Sequence, residues 1–99
     1  MKPVIIQREA ATELEEDMAW YEKRQSGLGL DLQAEVEKTV LRLRQDPSRG
    51  MRYRNTPYQF IRVKRFPYVV YYRELDDAIW VMAIAHGRRR PGYWKNRTL

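Results

Sequence analysis

The stretch Ile79-Trp80-Val81-Met82-Ala83-Ile84-Ala85 decides the fold of this 99-residue chain. Apolar residues occupy every position in it, which predicts a strand that is covered on both faces and lies in the interior of a sheet. A second apolar run, Tyr68-Val69-Val70-Tyr71-Tyr72, precedes it. Because Asp76 and Asp77 between the two runs favour a turn, the runs predict neighbouring strands of one sheet.

A third strand is predicted just upstream of these two. Ile61 and Val63 alternate with basic residues, and this period of two is typical of a strand with one buried and one solvated face. The pair Phe66-Pro67 follows, and proline donates no hydrogen bond to a sheet, so we place the corner between strands there. The C-terminal half is therefore predicted to be a three-stranded meander.

Two helices are predicted before the meander, because apolar residues recur at steps of three and four in two segments. The first begins near Glu9 and ends at the glycine-containing turn 26–29. The second ends at Asp46-Pro47, since proline cannot continue a helix. With Val4-Ile5-Ile6 as a short first strand, this order predicts a single α+β domain over residues 1–99. An N-terminal strand and an α-helical hairpin would pack on a small, mostly antiparallel sheet.

The composition excludes several classes of function. The chain has no cysteine, so it forms no disulfide, thiolate zinc site or cysteine nucleophile. Its one histidine, His86, rules out a multi-histidine metal centre, and we expect neither a metal nor a cofactor. The N-terminal apolar stretch is too short for a signal peptide, and no apolar run is long enough to span a membrane. We therefore expect a cytoplasmic protein with no membrane partner.

Positive charge is concentrated in the second half of the chain. Residues 1–47 carry 10 acidic and 7 basic side chains, whereas residues 48–99 carry 3 acidic and 12 basic ones. Three arginines, Arg88, Arg89 and Arg90, directly follow the last predicted strand. Adjacent guanidinium groups repel one another and gain most when an anionic partner binds. This pattern favours a protein that binds a macromolecule through its C-terminal region.

A series of short motifs, each occurring once, extends over nearly the full length of the chain. They are Trp20-Tyr21-Glu22, Gly27-Leu28-Gly29, Glu35-Val36, Arg65-Phe66-Pro67-Tyr68, Tyr71-Tyr72, His86-Gly87-Arg88-Arg89, Pro91 and Tyr93-Trp94. Together they resemble the RelE/ParE superfamily of toxins from bacterial toxin–antitoxin pairs, and the ParE branch in particular. The resemblance implies a growth-inhibiting toxin that a cognate antitoxin neutralises, in a toxin–antitoxin hetero-oligomer.

The resemblance leaves two kinds of target open. ParE-like members inhibit DNA gyrase, whereas RelE-like members cleave messenger RNA on the ribosome, and the fold alone does not choose between them. The RelE-like pattern places an arginine near the position of Val69, where it would stabilise charge on the phosphorane. Because this chain has valine there, we expect a gyrase inhibitor without catalytic residues.

The candidate target-binding residues lie around and beyond the last strand: Arg65, Arg88, Arg89, Arg90, Tyr93 and Trp94. The two aromatic residues either fold back onto the sheet or serve as anchors for a partner. In the alternative nuclease hypothesis, a metal-independent endoribonuclease would use Arg62, Lys64, His86 and Arg89. A third hypothesis is a basic nucleic-acid-binding module without toxicity. Apart from the nuclease hypothesis, His86 is read as a strand-end residue that hydrogen-bonds to the backbone.

Overall fold

The computed structural model describes residues 1–98 and contains five strands and two α-helices. The alternation and helical spacing seen in the sequence predict most of these elements. Their bounds are Val4–Ile6 (β1), Arg8–Arg24 (α1), Leu28–Gln45 (α2), Met51–Arg52 (β2), Gln59–Arg62 (β3), Tyr68–Glu74 (β4) and Ile79–His86 (β5), with a short 3₁₀ helix at Pro47–Arg49 between α2 and β2. Neither α-helix of the described chain combines the length and the apolar character needed to cross a membrane.

The strands form one sheet in the order β1-β5-β4-β3-β2. β1 pairs with β5 in parallel, and the other three pairs are antiparallel, so the predicted α+β domain with a mostly antiparallel sheet is confirmed. As its composition predicted, β5 lies in the interior, between β1 and β4. The sequence did not predict β2, because two residues are too few to show alternation.

The helical hairpin covers one face of the sheet. Side chains from alternate positions of β4 and β5 meet those of α1 and α2 in a continuous core. Its fully buried members include Leu32, Val36, Leu43, Val70, Tyr72, Ile79, Val81 and Ile84. The Tyr72 hydroxyl donates to the Pro47 carbonyl at 2.7 Å and accepts from the Gly50 amide at 2.9 Å, so the segment after α2 is tied to the sheet.

The C-terminal segment, residues 87–98, covers part of the opposite face, which we call the outer face. A second core lies there, which we call the outer core; it is formed by Tyr53, Met82, Ala83, Ala85 and Trp94. A bulge between β4 and β5 at Tyr71/Tyr72 turns the adjacent residues Met82 and Ala83 towards the same side. The apolar character of β5 on both faces therefore reflects two separate cores.

The turn between the helices is held by a carboxylate from α1. Glu22 accepts hydrogen bonds from the Gly27 and Gly29 amides, at 2.7 and 3.0 Å, and so caps the start of α2. Gly27 has a φ of 87°, a conformation that favours glycine. A Cβ at Gly29 would overlap the Met18 carbonyl oxygen, so glycine allows α1 and α2 to approach closely. α1 itself begins after Gln7, whose side chain accepts from the amides of its first turn.

Candidate functional site

Most of the predicted site residues lie at one end of the sheet. The turn between β3 and β4 touches the segment after β5, because the Gly87 amide donates to the Pro67 carbonyl at 2.7 Å. Tyr68 and His86 are paired at the same end. We call this region the basic end and define it by Arg62, Lys64, Arg65, Arg88, Arg89 and Arg90. The charge that is scattered along the C-terminal half is thus brought together by the fold.

Two arginines of the basic end already have carboxylate partners. Arg65 lies 3.5 Å from Glu35 and 3.7 Å from Asp31, both on α2. Arg89 lies 3.7 Å from Glu13 on α1, and its guanidinium stacks 4.0 Å from the centre of the Tyr93 ring. The three ion pairs orient Arg65 and Arg89 towards the helices and neutralise part of their charge.

Arg88 and Arg90 differ from these neighbours. Both side chains are exposed, and neither forms an ion pair with any residue between 1 and 98. An exposed guanidinium keeps its full hydrogen-bonding capacity for a partner molecule. Of the three consecutive arginines, the two outer ones are therefore free to bind an anion, and the middle one is held by the protein.

The two aromatic residues of the C-terminal segment behave differently from each other. Trp94 is only 1% exposed and packs against Tyr53, Tyr58 and Tyr71. The prediction that Trp94 touches the target is therefore corrected, because its indole is buried in the outer core. Tyr93 is half-buried between the guanidiniums of Arg89 and Arg97, at 4.0 and 5.0 Å from its ring centre.

Arg97 fixes the C-terminal segment to α1. Its side chain is 7% exposed and donates to Glu13 at 2.5 Å and to the Met82 carbonyl at 3.1 Å. Glu13 also accepts from the Tyr93 hydroxyl at 3.4 Å. A single carboxylate on α1 therefore organises three side chains of the C-terminal region, since it also contacts Arg89.

His86 makes the backbone contact that its position at a strand end suggested. Its Nδ1 accepts from the Arg88 amide at 3.1 Å, and its ring packs edge-on against Tyr68 with 5.3 Å between ring centres. The Tyr68 hydroxyl faces Asp17 on α1. Burial raises the pKa of the Asp17 carboxyl, although the Tyr68 hydroxyl and the positive charge of Arg89 act in the opposite direction.

A family model described as the ParE toxin of the type II toxin–antitoxin system parDE matches residues 4–91. The chain belongs to the ParE toxin family. The fold is also similar to a solved structure titled "Chromosomal ParDE TA system from P. aeruginosa", with a TM-score of 0.78 and 18% sequence identity. That likeness covers 87% of this chain and 96% of the other. A search of curated protein sequences finds no significant match.

In this ParE-family toxin, the four residues of the nuclease hypothesis do not share one cavity. His86 and Arg89 both line a cavity of about 190 Å³ on the outer face, whereas neither Arg62 nor Lys64 contributes to its lining. Val69, near which the RelE-like pattern places an arginine, also lines this cavity. The sequence analysis did not single out Tyr53, which lines the cavity, or Arg97, which stacks on the ring of the cavity residue Tyr93. Their sequence neighbourhoods look like ordinary strand and loop, so only the fold reveals them.

The raised pKa of Asp17 has a testable consequence for stability. Its folded-state pKa lies above the ordinary value of 3.8, so the charged carboxylate destabilises the fold at neutral pH. This penalty shrinks as the pH falls below the folded-state pKa and disappears below the unfolded-state value of 3.8. We expect Asp17→Asn to raise the Tm at pH 7, because asparagine keeps an acceptor for Tyr68 without the charge. The gain should vanish near pH 3.

Thermal unfolding monitored by circular dichroism between pH 3 and 7 measures this effect. Asp76→Asn, in the exposed β4–β5 turn, removes the same charge from a solvated position and serves as the control. A Tm gain for Asp17→Asn that is equal at pH 3 and pH 7 would contradict the assignment, as would a lower Tm at pH 7.

Proposed function

We propose that this toxin stops growth by binding DNA gyrase through the basic end of its sheet, without catalysing a reaction. The observation that carries the proposal is the pair Arg88 and Arg90, which are exposed and unpaired within the described chain. They flank Arg89, whose contact with Glu13 fixes the turn that presents them. Arginine is enriched among residues that dominate binding energy, because it combines charge with five donors.

The arrangement supports binding better than RNA cleavage. A metal-independent nuclease needs a proton acceptor and several cationic groups around one phosphate. His86 Nδ1 is engaged by the Arg88 amide, and Arg89 is held by Glu13. Arg62 and Lys64 are exposed outside the cavity that His86 and Arg89 share. The residues present at the basic end are therefore better suited to contacting a protein surface than to proton transfer.

The double substitution Arg88→Ala with Arg90→Ala should weaken inhibition of gyrase without harming the fold. Both side chains are exposed, so stability should change by less than about 0.5 kcal/mol. Losing two guanidinium contacts should weaken inhibition at least about tenfold. The measurement is the concentration of purified toxin that halves ATP-dependent supercoiling of relaxed plasmid by gyrase.

A matched control removes the same charge elsewhere. Arg8 and Arg49 are exposed and form no ion pair within residues 1–98, so Arg8→Ala with Arg49→Ala should leave inhibition within about twofold of the wild type. If the wild-type toxin leaves gyrase active and instead causes cleavage of messenger RNA on ribosomes, the gyrase proposal is wrong. Equal losses in the two double variants would show that net charge, and not these two arginines, governs inhibition.

We further propose that the cognate antitoxin occupies an apolar groove between β1 and α2. The groove has a volume of about 520 Å³ and lies beside β1, an edge strand with a free side. Ile6 and Leu41 line it and are 37% and 52% exposed, which is high for large apolar side chains. An antitoxin segment could bind there as an added strand or as a helix in the groove.

Placing two carboxylates in this groove should separate neutralisation from toxicity. We expect the toxin with Ile6→Asp and Leu41→Asp to inhibit growth as before and to escape rescue by co-expressed antitoxin, because charged groups would be desolvated in the complex. The control is Leu30→Asp with Met51→Asp, two exposed apolar residues outside the groove. Growth of cells that carry each variant with the antitoxin measures the outcome, and full rescue of the groove variant would exclude this docking site.

A further inference from the structure

One large aromatic side chain is exposed close to the basic end. Trp20 belongs to the motif Trp20-Tyr21-Glu22, to which the proposed function assigns no role. The indole is 52% exposed near the end of α1, and no other aromatic ring among residues 1–98 is exposed to this extent. Tryptophan is enriched among the residues that dominate binding energy at protein interfaces. An indole in this position therefore indicates a contact with a partner.

The indole is held in place although it is exposed. Its ring packs edge-on against Tyr21 with 5.0 Å between ring centres, and the Arg24 guanidinium lies 4.0 Å from the centre of the Trp20 ring. Arg24 lies one helical turn after Trp20, and we call these two residues the stacked pair. A side chain that is oriented before binding loses less conformational entropy when a partner covers it. The stacked pair therefore presents an apolar ring and a positive charge in a fixed arrangement.

The turn between β3 and β4 connects the stacked pair to the basic end. Tyr21, which supports the stacked pair, packs edge-on against Phe66 in this turn, with 5.4 Å between ring centres. The following residue, Pro67, accepts from the Gly87 amide at 2.7 Å, and Gly87 directly precedes Arg88. The stacked pair and the basic end therefore lie side by side around this turn.

The charge of the stacked pair has the same sign as that of the basic end. Arg24 is exposed and forms no ion pair within residues 1–98, as is true of Arg88 and Arg90. A partner that complements all three arginines carries acidic residues, and it needs an apolar pocket for the indole. The groove proposed for the antitoxin lies elsewhere, since Trp20 does not line it. A two-fold contact between copies of this chain at Trp20 would bring two Arg24 guanidiniums together, and like charges repel. The target of the basic end is therefore the partner that fits best.

We propose that the stacked pair extends the gyrase-binding surface onto α1, where the Trp20 indole enters an apolar pocket of gyrase with acidic residues at its rim. This inference rests on the proposed function and adds the apolar contact that the basic end lacks. Interfaces commonly combine a buried apolar centre with a charged rim. In this surface the indole supplies buried apolar area, and the arginines on either side of the β3–β4 turn supply charge.

Inhibition of supercoiling by purified toxin variants tests the proposal. Trp20→Ala should raise the concentration that halves supercoiling at least about tenfold, whereas circular dichroism should show an unchanged fold. Leu30→Ala is the control, because it removes a 63% exposed apolar side chain from the same helical hairpin, and it should stay within about twofold of the wild type.

The outcomes separate this inference from the proposed function. If the wild-type toxin does not inhibit gyrase, both are wrong. If Arg88→Ala with Arg90→Ala weakens inhibition but Trp20→Ala does not, the proposed function stands and the role of the stacked pair is refuted. Unchanged inhibition by Trp20→Ala, combined with poorer neutralisation by the antitoxin, would assign Trp20 to the antitoxin and would also refute it.

Thiol labelling locates the contact directly, because the chain has no cysteine of its own. Glu16→Cys places an exposed thiol one helical turn before Trp20, and Asp76→Cys places one in the exposed β4–β5 turn at the opposite end of the sheet. Mass spectrometry of the toxin measures the alkylation rate of each variant with and without gyrase. With gyrase at about ten times its Kd, alkylation of Glu16→Cys should slow about tenfold, and that of Asp76→Cys should not change. Equal rates with and without gyrase at Glu16→Cys would overturn the proposal. Slower alkylation of Glu16→Cys at rising concentrations of toxin alone would identify a second copy as the occupant and would overturn it as well.

Discussion

Replacing Trp94 by alanine is expected to lower the free energy of unfolding by about 3–5 kcal/mol, the largest effect of any single substitution considered for this toxin. The indole is 1% exposed, and its ring centre lies 4.7 Å from that of Tyr71 and 4.8 Å from that of Tyr58. Alanine would leave a void in the outer core and would remove the main attachment of residues 87–98. In a domain of this size, such a loss is a large share of the total stability of about 5–15 kcal/mol.

Urea denaturation followed by circular dichroism measures this loss, with Trp20→Ala as the matched control. Trp20 is 52% exposed on α1, so its truncation should cost no more than about 1 kcal/mol. Trp94→Phe keeps an aromatic ring in the outer core and should fall between the two. Equal losses for Trp94→Ala and Trp20→Ala would mean that the C-terminal segment is not attached through the indole.

The contrast between Trp94 and β5 shows what the sequence could predict. The apolar run of β5 extends over a whole strand, so its local pattern specifies both its conformation and its place in the sheet interior. Trp94 follows Pro91-Gly92 without any periodic pattern. Its burial depends on Tyr53 and Tyr58, which belong to a loop that the sequence does not place. The sequence therefore left two alternatives for Trp94, and only the tertiary structure selects the buried one.

The same reasoning applies to the candidate site. The sequence located the basic end, because Arg88, Arg89 and Arg90 are consecutive and directly follow a predictable strand. It could not distinguish the arginines from one another. Whether a guanidinium is free or paired depends on α1, and Glu13 reaches Arg89 only after the hairpin has packed on the sheet. Their role in binding a target stays a prediction that supercoiling assays will test.

The Glu13–Arg97 pair provides the second large effect. Arg97→Ala is expected to lower the free energy of unfolding by about 2–3 kcal/mol, because it leaves the Glu13 carboxylate with one fewer partner in a poorly solvated position. The two side chains are 22% and 7% exposed, and they are joined by a contact of 2.5 Å. The Met82 carbonyl would also lose its donor. Residues 87–98 should then exchange amide hydrogens faster than the strands beneath them.

A double-mutant cycle separates the pair from its surroundings. Combining Glu13→Leu with Arg97→Met should cost less than either single change, since apolar residues of similar size often replace a buried ion pair at little cost, whereas one charge left alone is expensive. The cycle at Lys2 and Glu74 is the control. That pair is equally direct, at 2.8 Å, but its side chains are 34% and 38% exposed, so a coupling below about 1 kcal/mol is expected there. If the two cycles give the same coupling energy, burial does not strengthen the Glu13–Arg97 contact, and the C-terminal segment must be attached mainly through Trp94.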